Sequence, residues 1–155
     1  MPTIANAPSG NKATLAGTEK FPIDGSQYAL ISAIATYLGT VGSTYSPTRS
    51  AEVNLDANVT MTQAQYSRVG NTVTVSGLFT ADPTAPGAAS FEITLPVASN
   101  IGAIEDVAGV AFCGSIAGQG AQIIGSVANN TAVIQWIAVD VTSQQWSYTF
   151  SYQVL

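Results

Sequence analysis

The chain has 155 residues, no histidine, one cysteine, and four basic against nine acidic side chains, for a net charge of −5. Most protein catalysis needs a proton carrier near neutral pH, a thiolate or a constellation of carboxylates. Here the first is absent, the second is Cys113 alone and the acids are scattered, and so few Lys and Arg disfavour a nucleic-acid partner.

Hydrophobic residues make up 46% of the chain, enough for a real core, and the remainder is mostly Ser, Thr, Gly, Asn and Gln rather than charge. Such a surface repels itself weakly and suits a chain that buries much of itself against partners. The charge is uneven. Residues 1–50 carry Lys12, Lys20 and Arg49 against Glu19 and Asp24, while residues 51–155 set Arg68 against seven acids. Cys113 cannot form an internal disulfide, and its apolar neighbours in Val110-Ala-Phe-Cys113 read as a strand around a small buried thiol. Met1-Pro-Thr-Ile lacks the basic start and apolar run of a signal peptide. The most apolar stretch, Val107 to Ile116, is broken by Gly109 and Gly114 and is too short to span a bilayer.

In chain order, Met1 to Thr14 holds Pro2, Pro8 and Gly10 without periodicity and reads as an extended arm, ordered when a partner holds it. Lys20-Phe-Pro-Ile23 reads as a short strand, and Asp24-Gly25 is a strong turn dipeptide. Two readings then compete. In one, Ser26 caps a helix from Gln27 to Leu38, with Leu30, Ile31, Ile34, Tyr37 and Leu38 on one face and Gly39 as its stop. In the other, Gln27 to Leu30 pairs back on Phe21 to Ile23 as a hairpin, and Ser32 caps a two-turn helix to Leu38. We favour the second, because Asp-Gly hairpin turns are specific. Gly39 to Pro47 reads as a linker.

From residue 50 the period is two. Asn58 to Ser67 alternates through Val59, Met61 and Tyr66, and Gly70-Asn71 is a tight turn. Thr72 to Thr80 alternates Val73, Val75 and Phe79 against hydroxyls, and Asp82 to Gly87 is a Pro-rich loop. Phe91, Ile93, Leu95 and Val97 alternate in the next strand, and Ala98 to Asp106 is irregular. Ala108 to Ala117 is nearly all apolar, as in a strand covered on both faces. Gln122 to Ala128 and Ala132 to Asp140 form a hairpin around Asn129-Asn130. In the last strand Trp146, Tyr148, Phe150, Tyr152 and Val154 share one face, while Ser147, Thr149, Ser151 and Gln153 share the other. Short strands at this spacing predict a mainly β fold, an antiparallel β-sandwich or jelly roll over residues 46–155, preceded by an arm over residues 1–45 with one short helix.

Carboxylates are the remaining candidates for catalysis. A glycan-cleaving enzyme needs two of them facing each other across a cleft. Glu92 lies between Phe91 and Ile93 and points away from their face, and Asp82, Glu105 and Asp106 lie in loops, so nothing forces a pair together. Glu105-Asp106 and Asp56-Ala-Asn58 lack the ligand spacing of a calcium loop. No catalytic, cofactor or metal residue is assigned. Trp136, Trp146, Tyr66, Tyr148 and Tyr152 could stack on sugar rings, but aromatics alternating along a strand are more often core or subunit interface. The glycosylation triplets at Asn58 and Asn129 read as chance.

Leu15-Ala-Gly-Thr-Glu-Lys-Phe-Pro-Ile23, followed by Ala33-Ile-Ala-Thr-Tyr-Leu38, resembles a short segment recurring in tailed-bacteriophage fibre and other virion accessory proteins. Tyr66 to Gly77, Phe91 to Asn100 and Tyr148-Thr-Phe-Ser-Tyr152 are similar to a β-sandwich module of the same kind of protein. The resemblance implies a non-enzymatic structural protein of the virion, on the capsid surface or at the tail or neck. It implies a homotrimer, with an N-terminal portion attached to the particle and a C-terminal β domain displayed outward. The chain has no shaft and no long repeat, which favours a capsid decoration (cement) protein or a short head or tail fibre. The alternative is a carbohydrate-binding, receptor-recognising module of a tail fibre.

The implied partners are further copies of the chain and the major capsid protein or another virion protein, with no nucleic acid and no membrane. Phe21, Pro22, Ile23 and Tyr28 are the candidate attachment residues, because a strand there could add to a neighbouring sheet edge. Trp146, Tyr148, Phe150 and Tyr152 are the candidate subunit interface, because the last strand offers more large apolar side chains than one small core needs.

Overall fold

The computed structural model describes residues 42–56 and 59–155 with their side chains, and the backbone of 20–22, 28–30 and 41. The chain divides into two units, Met1–Gly39 and Thr40–Leu155. In the first, β1 (Lys20–Pro22) and β2 (Tyr28–Leu30) form an antiparallel pair in which Phe21 faces Ala29 and Pro22 faces Tyr28. The hairpin is therefore the form this segment takes, since a helix from Gln27 would include Tyr28–Leu30. Ile23, the extended arm before Lys20 and the expected helix from Ser32 to Leu38 lie outside the described residues.

The second unit is one antiparallel sheet of ten strands, curled into a half-barrel. Its strands are β3 (Val41–Tyr45), β4 (Arg49–Val53), β5 (Thr60–Met61), β6 (Ala64–Val69), β7 (Thr72–Ala81), β8 (Gly87–Ile93), β9 (Val107–Cys113), β10 (Gly120–Ser126), β11 (Thr131–Ala138) and β12 (Gln144–Gln153). Across the sheet they run β3-β6-β7-β12-β9-β10-β11-β8-β4, with β5 also on β7. A mainly β, antiparallel fold was the expectation, and the sandwich-like closure comes from a single sheet folding over on itself. Four strands separate β7 from β8 in this order, yet Phe79 and Phe91 meet edge-on with ring centroids 5.0 Å apart.

Local sequence explains most of these elements. Gly70 takes a positive φ in the turn that joins β6 to β7, where a side chain would be strained. β5 and β6 lie along one edge of β7, but their registers differ by one residue: Met61 faces Phe79, whereas Tyr66 faces Val75. A one-residue bulge at Thr62-Gln63 absorbs the shift, and Thr62 still donates its N–H and hydroxyl to the Leu78 carbonyl. On β4 the register breaks between Ser50 and Val53, with Ala51 at φ 51°. Asn54 then ties the β7–β8 loop to β4. Its amide nitrogen donates to the Ala85 and Ala88 carbonyls, and its oxygen accepts from the Thr84 hydroxyl and the Ala85 N–H.

Three expectations need correction. Val41–Tyr45, in the stretch read as a linker, is the edge strand β3 and pairs with β6 from Val41↔Arg68 to Tyr45↔Ala64. Gly42, Ser43 and Thr44 give it no apolar alternation, because all three are exposed and neither face is buried there. The strand through Phe91 ends at Ile93, so Leu95 and Val97 lie beyond it, in the crossover to the next strand. The apolar β9 is not covered on both faces: Ala111 is buried, but Val110 and Phe112 are exposed on the outside of the sheet.

The core fills the concave face. It takes alternate residues from β7, β8, β9, β10, β11 and β12, centred on Phe79, Phe91, Trp136, Trp146 and Phe150. The crossover from β8 to β9 runs along its end. There the Tyr152 hydroxyl donates to the Val97 carbonyl at 2.7 Å and accepts from its N–H at 3.0 Å. Ser99 Oγ donates to the Gln153 carbonyl, and the Ile101 N–H donates to Asn130 Oδ1, both at 2.8 Å.

Candidate functional site

The residues singled out from the sequence fall in two places. Phe21, Pro22 and Tyr28 lie on the β1–β2 pair. Trp146, Tyr148, Phe150 and Tyr152 line the concave face of β12, each at most 4% exposed. These four are core within a single chain and not a subunit surface, which corrects the interface expectation. The room for them comes from small residues on the flanking strands: Tyr148 sits between Gly77 and Ala111, and Phe150 faces Gly109. Trp146 stacks on Phe79 at 5.8 Å, and Phe150 stacks between Tyr148 and Tyr152 at 6.1 and 6.2 Å.

The same burial takes Trp146, Tyr148 and Tyr152 out of reach of a sugar ring. Trp136 is buried with the others, and Tyr66 is half-buried and meets Tyr45 edge-on at 6.0 Å. The Tyr45 and Tyr148 hydroxyls are buried beside each other, with no other hydrogen-bond partner. Burial, followed by the neighbouring Tyr148, holds the Tyr45 phenol well above its ordinary range, and burial pushes Tyr148 up to about 12.

The acids are tied into turns. Glu92 does point to the outer face, but it is buried there beneath hydroxyl and amide donors. It accepts from Ser126 Oγ at 3.1 Å, Asn129 Nδ2 at 2.9 Å and Thr131 Oγ1 at 2.6 Å, which pins the β10–β11 hairpin to β8. Asp106 Oδ2 accepts the N–H groups of Gly102 and Ala103 at the 3-10 turn Ile104–Asp106. Asp140 accepts from the Thr142 hydroxyl and N–H and from Gln144 Nε2, which hold its carboxyl below the usual range. Cys113 donates to Gln144 Oε1 at 3.2 Å. Among the described residues, no three His, Cys, Asp or Glu side chains gather where they could hold a metal ion.

What the chain presents outward is the convex face of the sheet. Across β7, β12, β9, β10, β11 and β8 the outward positions carry hydroxyl, amide and apolar side chains. Among the described residues of these strands, Glu92 is the one ionisable side chain directed to that face, and its hydrogen bonds turn it into the hairpin. Leu78, Val110, Phe112 and Ile137 are exposed there. The apolar outward residues of β9 are visible in the sequence, and the missed signal was that Phe112 alternates out of phase with Ala111 and Val107. Comparison with protein-family models, with curated proteins and with solved structures finds no match.

Proposed function

We propose that this chain is a non-enzymatic structural protein of a tailed-bacteriophage virion, a capsid decoration (cement) protein or a short head or tail fibre, and that it assembles as a homo-oligomer on the particle. The observation that carries the reading is the uncharged convex face: six neighbouring strands that present apolar, hydroxyl and amide groups. Exposed apolar area of that kind is characteristic of a protein that works against other proteins. The resemblance of the N-terminal and β-module segments to virion accessory proteins supplies the setting, and with it the three-fold count. In this reading the partners are further copies and the major capsid protein or another virion protein, and the N-terminal arm carries the attachment through Phe21, Pro22, Ile23 and Tyr28.

The glycan-binding alternative has less support, because four of its five aromatics are in the core. The test is biochemical. After purified particles are dissociated, the chain is expected with full heads or with tails, and the purified protein is expected to rebind particles stripped of it. A chain beginning at Thr40 keeps all ten strands and is expected to lose rebinding. Absence of the protein from purified particles, with no rebinding of the full chain, overturns the reading. Full rebinding by the shortened chain moves attachment to the sheet.

A further inference from the structure

We infer that β3 is an exchangeable edge strand: in the assembled protein it leaves its own sheet and pairs with β6 of the next copy, carrying Tyr45 into the same socket there. The inference rests on the assembly reading above and supplies a contact between copies that the reading needs.

The route of the chain motivates it. β3 is the first strand across the sheet and β4 is the last, yet Ser46, Pro47 and Thr48 are all that lies between them in sequence. Thr48 already belongs to the β4 side. Its N–H donates to Thr94 Oγ1 and its carbonyl accepts from the Thr94 N–H, both at 3.0 Å, just past the end of β8. Ser46 and Pro47 therefore carry the chain from one open edge of the sheet to the other. Pro47 fixes its own φ and holds Ser46 in extended backbone. A hinge this short and extended favours exchange over closure within one chain.

The sheet also holds β3 loosely. The strand lies at the edge and its ladder is with β6. Gly42, Ser43 and Thr44 are exposed, so they bury no apolar area that departure would uncover. The anchor is Tyr45, half-buried, edge-on to Tyr66 at 6.0 Å and with its hydroxyl beside that of Tyr148. When β3 departs, β6 from Ala64 to Arg68 becomes an open edge, and Tyr66 and Tyr148 lose the ring that packs between them and solvent. An open edge and a stranded hydroxyl are both unfavourable.

These two gaps fix the occupant. β3 of a second copy fills both, because it repeats the register Gly42↔Ser67, Ser43↔Tyr66, Thr44↔Gln65 and Tyr45↔Ala64 and brings the same tyrosine. A strand of other sequence would complete the ladder and leave the socket empty. Exchange keeps every contact of the closed chain, so association entropy is what opposes it, and crowding on a particle lowers that cost. Each copy gives one strand and receives one. Such a head-to-tail contact closes as a ring, in agreement with the three-fold count of the reading.

The experiment uses the full chain with Cys113→Ser, which removes the native thiol. Thr44→Cys and Gln65→Cys are placed together at exposed, directly paired positions and linked with a short bis-maleimide. The denatured product is expected at two and three times the chain mass, with little at the single mass. A tagged Thr44→Cys chain co-expressed with an untagged Gln65→Cys chain is expected to give a tagged–untagged product, and Thr44→Cys by itself none. Light scattering of the unaltered chain gives the native mass. If that chain is a monomer at micromolar concentration, the assembly reading falls and takes this inference with it. If it is multimeric while the double variant links only within single chains and the co-expressed pair does not link, strand exchange alone is overturned.

Discussion

Tyr148 of β12 lies directly over Gly77 of β7: a Cβ added at Gly77 would stand 2.6 Å from the Tyr148 hydroxyl oxygen and 2.7 Å from its Cζ. Gly109 of β9 is approached by backbone instead: the Thr149 carbonyl and the Phe150 Cα and Cβ occupy the space a side chain would need. One glycine thus makes room for the Tyr148 ring, and the other lets β9 approach the β12 backbone closely.

Gly77→Ala is expected to force the Tyr148 ring aside in a filled core and to cost about 1–3 kcal/mol. Gly42→Ala, whose Cβ would stand 3.9 Å from its nearest neighbour, is expected to change stability by less than about 0.5 kcal/mol. Urea unfolding of the two variants checks this, and equal midpoints would remove the packing argument.

Two tyrosines on one strand separate the value of a hydroxyl bonded to backbone from one that meets only another hydroxyl. Tyr152→Phe strips the Val97 N–H and carbonyl of their partner and is expected to cost about 1–2 kcal/mol. The Tyr148 hydroxyl is buried with only the Tyr45 hydroxyl beside it, so Tyr148→Phe is expected to cost less than Tyr152→Phe, under about 1 kcal/mol. A larger loss at Tyr148 than at Tyr152 would reverse the assignment.

Alkaline pH is expected to unfold the sheet. Burial raises Tyr148 from 10.0 to about 12, and burial also raises Tyr45 and Tyr152. The folded chain keeps phenol protons that the unfolded chain releases, so this stability is full below pH 10.0 and is lost as pH climbs through 12. Denaturant midpoints measured against pH should fall over that window, and less steeply in Tyr148→Phe.

Asp140 governs an acid effect of the opposite sign. Its carboxyl is held down by the Thr142 hydroxyl first, then by the Thr142 N–H and Gln144. The unfolded chain takes up the proton more readily, so the contribution is present above pH 3.8 and is lost as pH falls below it. Asp140→Asn is expected to flatten the stability profile there, and a profile unchanged by the substitution would show that the turn does not depend on the charge.

Glu92→Ala leaves the Ser126, Asn129 and Thr131 donors without their acceptor and is expected to cost about 1–3 kcal/mol. Hydrogen exchange should speed first in the β10–β11 hairpin. Oligomer mass should not change, because this carboxylate braces a turn and is buried away from the surface.

Local pattern determined much of this protein by itself. Strict alternation from Trp146 to Val154 marks β12 and its two faces, and Gly70-Asn71 and the Pro-rich Asp82–Gly87 mark the turns that end β6 and β7. The Asp24-Gly25 dipeptide marks the pairing of β1 with β2. The glycines at 77 and 109 were legible as residues, but their meaning was not, since each gains its partner from a strand more than 40 positions away. Tertiary structure alone decided that the β12 aromatics turn inward, that Val110 and Phe112 turn outward, and that Val41–Tyr45 is a strand. Alternation says which residues share a face. Which face is buried depends on the curl of the sheet, and that curl is set by long-range pairing, with β12 held between β7 and β9 and Phe79 brought against Phe91.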